Sequence, residues 1–167
     1  MKRLIKSSPI TQDAFLPFGS LLESPRTGGR ENFAAQLVNK RLSAKTNLAL
    51  VRSSPAPDKF AVDQLERHPF STQTFLPLNV GRYLVVVCQS DASGNPDLGT
   101  VRAFECEGTQ GVSYAVGVWH LGMQTLDAPG VFAMLVHEDQ TSADCEFRDV
   151  EPFEVTSRSG AAEPTAI

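Results

Sequence analysis

The run Tyr83-Leu84-Val85-Val86-Val87-Cys88 constrains this chain more than any other feature. Every position is apolar and the middle is β-branched, so both faces of an extended segment would need cover. A surface strand or an amphipathic helix would show polar residues at a regular period, and this run shows none. It predicts a central strand buried on both sides. No apolar stretch is longer, and it falls far short of the ~20 residues a membrane helix requires.

Eleven prolines and twelve glycines divide the rest of the 167 residues into short segments. Thr11–Phe15 reads as one short helix capped by Thr11. Gly19 leads into a strand at Ser20–Glu23, and Pro25–Glu31 reads as a loop. From Thr46 onward the pattern is extended. Leu48, Leu50 and Arg52 alternate with other residues, Pro55–Asp58 breaks the run, and Phe60–Glu66 and Thr74–Leu78 resume it. Beyond the central run, Ser93-Gly94-Asn95-Pro96-Asp97 is a turn cluster. Val101–Cys106, Val112–Val116 and Val131–His137 complete the strands. Many short strands with frequent turns imply a mainly all-β fold: a cupin-like double-stranded β-helix or jelly-roll barrel with one or two short helices. The barrel is preferred because the candidate functional residues lie on strands that would have to face one cavity. Residues 1–156 are expected to form a single domain, and the small, polar stretch 157–167 a flexible tail.

The net charge is −4, with no block of like charges. That argues against nucleic acid and anionic membrane surfaces as partners, since both need clustered basic residues. Met1–Lys6 is too short and too charged to lead a signal peptide. Cys88, Cys106 and Cys145 are far apart and form no CxxC pair, which excludes a zinc ribbon or a thioredoxin motif. They read as reduced thiols of a cytoplasmic protein.

Two stretches could carry chemistry. In Leu65-Glu66-Arg67-His68-Pro69, a strand would point Glu66 and His68 to one face and Arg67 to the other, with Gln73 following a short turn. These side chains either form a solvated strand face or supply acid–base and metal-ligating groups. In Gln110–His120, Gly117 allows a positive φ before Trp119-His120. Either Trp119 is core and His120 an exposed turn residue, or His120 enters a cavity opposite His68. His137 reads as a surface residue. Arg52 and Arg102 on apolar strands lie either at an edge or inside a polar cavity, where each could grip a carboxylate. No nucleophile elbow, P-loop or dinucleotide fingerprint is present.

These motifs together resemble the ureidoglycolate lyase family. Glu66-Arg67-His68-Pro69 and Gln73-Thr74-Phe75-Leu76-Pro77 are similar to its ERHP…QxFxP signature. Val85-Val86-Val87, Pro96-Asp97-Leu98, Arg102-Ala103-Phe104, Gln110-Gly111-Val112, Tyr114, Gly117-Val118-Trp119-His120 and Asp144-Cys145-Glu146 follow in the family's order. The resemblance implies a cupin-like barrel, a tendency to homodimers, and cleavage of ureidoglycolate to glyoxylate and urea in allantoin and purine breakdown. It implies His120 and His68 as acid–base residues, and Arg102, Arg52, Gln73 and Tyr114 as substrate-binding residues. Glu66, His68, Gln73 and His120 would be ligands if a divalent metal (nickel, manganese or zinc) takes part. No organic cofactor is expected. Where the family often has Tyr-His, this chain has Tyr114-Ala115, and Leu121-Gly122 follows His120. The alternative is a divergent barrel that binds or acts on another small carboxylate, or a purely structural interaction domain.

Overall fold

The computed structural model describes residues 3–157. Of the anticipated tail only Ser157 lies among them. It is buried, and its N–H donates to the Asp58 carbonyl at 3.0 Å.

The chain forms β1 (Leu4–Lys6), β2 (Ser8–Pro9), helix α1 (Gln12–Phe15), β3 (Gly19–Glu23), β4 (Lys45–Ser53), β5 (Lys59–Arg67), β6 (Gln73–Pro77) and β7 (Arg82–Cys88). It continues with β8 (Arg102–Glu107), β9 (Gln110–Tyr114), β10 (Trp119–His120), β11 (Gln124–Thr125), β12 (Gly130–Glu138) and β13 (Glu146–Thr156). The Thr11 hydroxyl caps α1, accepting from the Ala14 N–H at 3.2 Å. Among the described residues no helix is long and apolar enough to cross a membrane.

The strands make two sheets. The larger runs β1-β13-β5-β10-β7-β8-β2, with β11 also on β7, and the smaller runs β3-β9-β6-β12-β4. Segment Leu4–Pro9 pairs in parallel with β13 through β1 and with β8 through β2. The two margins of the larger sheet therefore meet on one segment, and that sheet is a nearly closed barrel. The fold is all-β and cupin-like, as the strand pattern implies.

Strand β7 is covered on both faces. Tyr83, Val85 and Val87 face the smaller sheet and pack with Phe15, Phe75, Phe104 and Phe132. Leu84, Val86 and Cys88 face the barrel interior with Val62, Leu65, Trp119 and Phe153. Burying each such side chain stabilises the fold by about 1.5–3 kcal/mol, so this strand anchors both cores.

Two features differ from the sequence reading. Strand β13 is the longest in the chain and was not foreseen. It is rich in charge, it contains Pro152, and its register against β5 shifts between Asp149 and Phe153. The proline sits where the ladder is interrupted and needs no N–H. In β4 the alternation is real, but its leucines face outward. Leu48 and Leu50 are 69% and 71% exposed, while Val51 packs on the core opposite Phe132.

Candidate active site

The end of β5, the start of β6 and the short β10 meet at one place. His120 is paired with Glu66 on one side and with Val87 on the other. Directly paired residues share a sheet face, so the Glu66 and His120 side chains emerge together. His68 follows β5 by one residue. Gly117, at φ +80°, makes the turn before β10, and its N–H donates to the His68 carbonyl at 2.9 Å. This bond lays the turn against His68 and brings the two imidazoles to a centroid separation of 5.9 Å.

Both rings are held in the same way. His120 Nδ1 lies 3.0 Å from the Val118 carbonyl, and His68 Nδ1 lies 2.8 Å from the Asp144 carbonyl. A carbonyl only accepts, so each Nδ1 carries a hydrogen, and a neutral His68 turns its Nε2 lone pair inward. The two Nε2 atoms then differ. His120 Nε2 faces Gln73 Oε1 at 2.9 Å and Glu66 Oε1 at 3.4 Å. His68 Nε2 is buried with no hydrogen-bond partner. A buried nitrogen without a partner is costly unless a ligand occupies its lone pair.

The electrostatics agree. Burial pushes the Glu66 carboxyl upward, but the hydrogen bond from His120 and the charges of His120 and His68 outweigh it and hold it below 4.5. Burial, followed by the nearby charge of His120, lowers His68 below 6.5, against the Asp144 carbonyl and the charges of Glu66 and Glu138. The site therefore presents an ionised carboxylate, whose side chain is 23% exposed, beside a neutral buried imidazole. Ligand atoms of Glu66, His68 and His120 all lie within 4.8 Å of one another, so the group can hold a metal ion. Two nitrogens and a carboxylate oxygen, with each Nδ1–H bonded to a carbonyl, form a donor set suited to a first-row divalent ion.

The other expected site residues are distributed unevenly. Gln73 is in the group, and its amide also donates to Met134 Sδ at 3.2 Å. Tyr114 stacks on His120 at 4.2 Å, but its hydroxyl donates to Met123 Sδ at 3.5 Å, within the core. Arg102 continues the row Glu66–His120–Val87 across one further strand. At ~4.8 Å per strand this puts its backbone roughly 10 Å from that of His120. The Arg102 side chain is exposed and donates to the Val101 carbonyl at 2.9 Å. Arg52 is not brought to the group. It shares the outward face of β4 with Leu48 and Leu50 and is exposed. His137 is half-buried beside Ser71, outside the group.

Three contributors escaped the sequence reading. The Asp144 carbonyl fixes His68, and no side-chain pattern encodes a carbonyl direction. Glu138 ends β12 on the inward side, where Asn47 donates to its Oε2 at 2.7 Å, and its charge reaches His68. Cys145 donates to Glu66 Oε2 at 3.8 Å, and burial together with that carboxylate pushes its thiol up to about 12. A thiol so raised is no nucleophile, and Cys88, also pushed up to about 12 by burial, is none either. A cleft of about 370 Å³ lined by Lys45, Asn47, Glu138 and Asp139 adjoins this end of the barrel. A groove of about 270 Å³ at Leu22, Glu23 and Phe33 includes none of the group. Titratable chemistry, not groove size, singles out this group as the candidate site.

The family profile described as Ureidoglycolate lyase matches residues 2–156. The ureidoglycolate lyase of Schizosaccharomyces pombe is 33% identical over 90% of this chain and 94% of its own. That of Chelativorans sp. is 31% identical over 92% of this chain and 96% of its own. A putative ureidoglycolate lyase of Agrobacterium fabrum is 32% identical over 85% and 88%. Among solved structures, an oxalate decarboxylase of Lactobacillus farciminis overlaps 72% of this chain and 32% of its own, at 16% identity and a TM-score of 0.43. Ala115, the position at which the sequence departs from the family's Tyr-His pattern, is exposed in the turn after β9.

Proposed function

The chain belongs to the ureidoglycolate lyase family, and on that premise we propose that the group formed by Glu66, His68, Gln73 and His120 is where it splits ureidoglycolate into glyoxylate and urea. The observation that supports this most is the asymmetry of the two imidazoles. His120 Nε2 faces two oxygens, Gln73 Oε1 at 2.9 Å and Glu66 Oε1 at 3.4 Å, which would stabilise a proton arriving there. His68 Nε2 faces none. We therefore assign the proton to His120 and a ligand role to His68.

In the reaction the substrate hydroxyl loses its proton, the C–O bond becomes C=O, the C–N bond breaks, and the departing urea nitrogen takes a proton. His120 Nε2 accepts the hydroxyl proton while Nδ1–H stays on the Val118 carbonyl. Glu66 and Gln73 stabilise the resulting imidazolium, which then delivers the proton to the nitrogen. Such transfer by a placed group is typically worth ~10²–10⁴-fold. His68 and Glu66 would hold a divalent ion of the nickel, manganese or zinc type, which when bound lowers the pKa of the substrate hydroxyl. Arg102, in the same residue row, is the candidate grip for the substrate carboxylate.

The outward face of the smaller sheet supports a homodimer. Leu50, Ala133 and Leu76 form one row across β4, β12 and β6, and Leu48 lies beside it. Leu76 is 46% exposed in addition to the two leucines of β4. An apolar patch of this kind marks an association surface. Three free cysteines suit the cytoplasm. The test is glyoxylate release from ureidoglycolate with and without added Ni²⁺, on the parent and on His120→Asn. We expect turnover in the parent and a loss of at least ~10²-fold in the variant. No release from the parent under either condition rejects the activity, and full activity in the variant removes His120 from the chemistry.

A further inference from the structure

We propose that Arg41 is a positioning residue for His68, acting through the loop that carries Asp144. The proposal rests on the reading of His68 Nε2 as the inward-facing lone pair of the site. That lone pair exists only while Nδ1 carries the hydrogen, and the Asp144 carbonyl, 2.8 Å away, is the bond that keeps it there.

The placement of that carbonyl is set by Arg41. One nitrogen of its guanidinium bonds to Asp139 Oδ1 at 3.0 Å and the other to Asp144 Oδ1. The Asp144 carboxylate in turn accepts the N–H groups of Asp139 at 3.0 Å and Gln140 at 2.8 Å. Ser43 donates to Asp139 Oδ2 at 2.8 Å. These bonds close the 139–144 loop on itself and on Arg41, and so hold the Asp144 carbonyl toward His68. Arg41 is anchored at its other end as well. The Lys40 N–H donates to the Phe70 carbonyl at 2.8 Å, the Thr72 N–H donates to the Val38 carbonyl at 3.0 Å, and the guanidinium lies 5.2 Å over the Phe70 ring. Arg41 thus ties the segment just after His68 to the loop whose carbonyl orients the His68 ring. Its side chain is only 14% exposed, and that of Asp144 11%, so the tie is shielded from solvent. Lysine has the charge but not the fork that reaches two carboxylates at once.

The test uses the full-length protein labelled with ¹⁵N. Imidazole nitrogen signals report the tautomer of each ring, and calorimetry reports Ni²⁺ affinity. Arg41→Met should replace the single Nδ1–H form of His68 by a mixture and leave His120 unchanged. It should weaken Ni²⁺ binding roughly 10–100-fold, the usual cost of losing a partner that orients a ligand. Arg41→Lys should fall between parent and Met. Arg82→Met, which breaks a comparable arginine–carboxylate pair with Asp127 elsewhere, should move neither signal. Should Arg41→Met fail to fold, Asp144→Asn carries the same expectation, because it loses the ion pair and keeps the carbonyl. A His68 that stays wholly in the Nδ1–H form in a folded variant overturns the proposal, as does an unchanged ring in the Lys variant. If the parent binds no Ni²⁺ at all, the metal reading fails, and the ring signals alone decide the role of Arg41.

Discussion

Gly117 offers the sharpest test of how the two imidazoles are brought together. Its φ of +80° lies in the left-handed region, and a Cβ added there would meet nothing within 4 Å. The cost of Gly117→Ala is therefore backbone strain alone, about 1–2 kcal/mol. Alanine also restricts the unfolded chain, which returns about 0.4–1 kcal/mol. The net loss is on the order of 1 kcal/mol, or roughly 2–4 °C in Tm for a chain of this size. Asparagine tolerates this conformation, so Gly117→Asn should lose less than alanine. Gly122 supplies the control: it too has open space around a built Cβ, but its φ is not in the left-handed region. Gly122→Ala should be neutral or slightly stabilising. The assay is thermal unfolding followed by Trp119, the single tryptophan, which is fully buried two residues beyond the turn. If alanine at 117 and at 122 behave alike, the turn is not what strains the chain, and the account of how residues 115–120 are laid against His68 fails.

Two further outcomes follow from the geometry. Tyr114→Phe removes only a 3.5 Å contact to Met123 Sδ and keeps the ring on His120, so stability should fall by less than about 1 kcal/mol and turnover should stay within a few-fold. A loss of 100-fold or so would mean that the hydroxyl reaches substrate. The Asp139 carboxyl is held down to about 2 by hydrogen bonds from Thr141 and Ser43 and by Arg41. A depressed carboxyl stabilises the fold above its unfolded value and ceases to do so as pH falls through its folded value. The gap in urea midpoint between the parent and Asp139→Asn should therefore be constant above about pH 5 and close toward pH 2. A gap that persists unchanged at the acid end refutes the assignment.

The central strand was legible because an unbroken apolar run has only one comfortable place in a small β protein. The grouping of Glu66, His68, Gln73 and His120 could be anticipated from period-2 spacing and from the resemblance. Side-chain direction at β4 could not. Alternation identifies a strand, but it does not say which face is inward, and here Val51 is inside while Leu48 and Leu50 are outside. That choice also carries Arg52 away from the site. Strand β13 was hidden because its charged first half and Pro152 show no strand pattern, whereas its pairing with β5 is a tertiary fact. The contributions of the Asp144 and Val118 carbonyls belong to backbone direction, which residue identity does not encode.

The pairing of Leu4–Pro9 with both β13 and β8 bears on how the molecule is made. Among the described strands this segment comes first in chain order, and one of its two neighbours, β13, comes last. Its β2 half can pair once β8 exists, but the cylinder is sealed only when β13 joins β1. Any product that stops short of Glu154 leaves open-ended strands at two margins, the form in which β proteins associate with one another and are cleared.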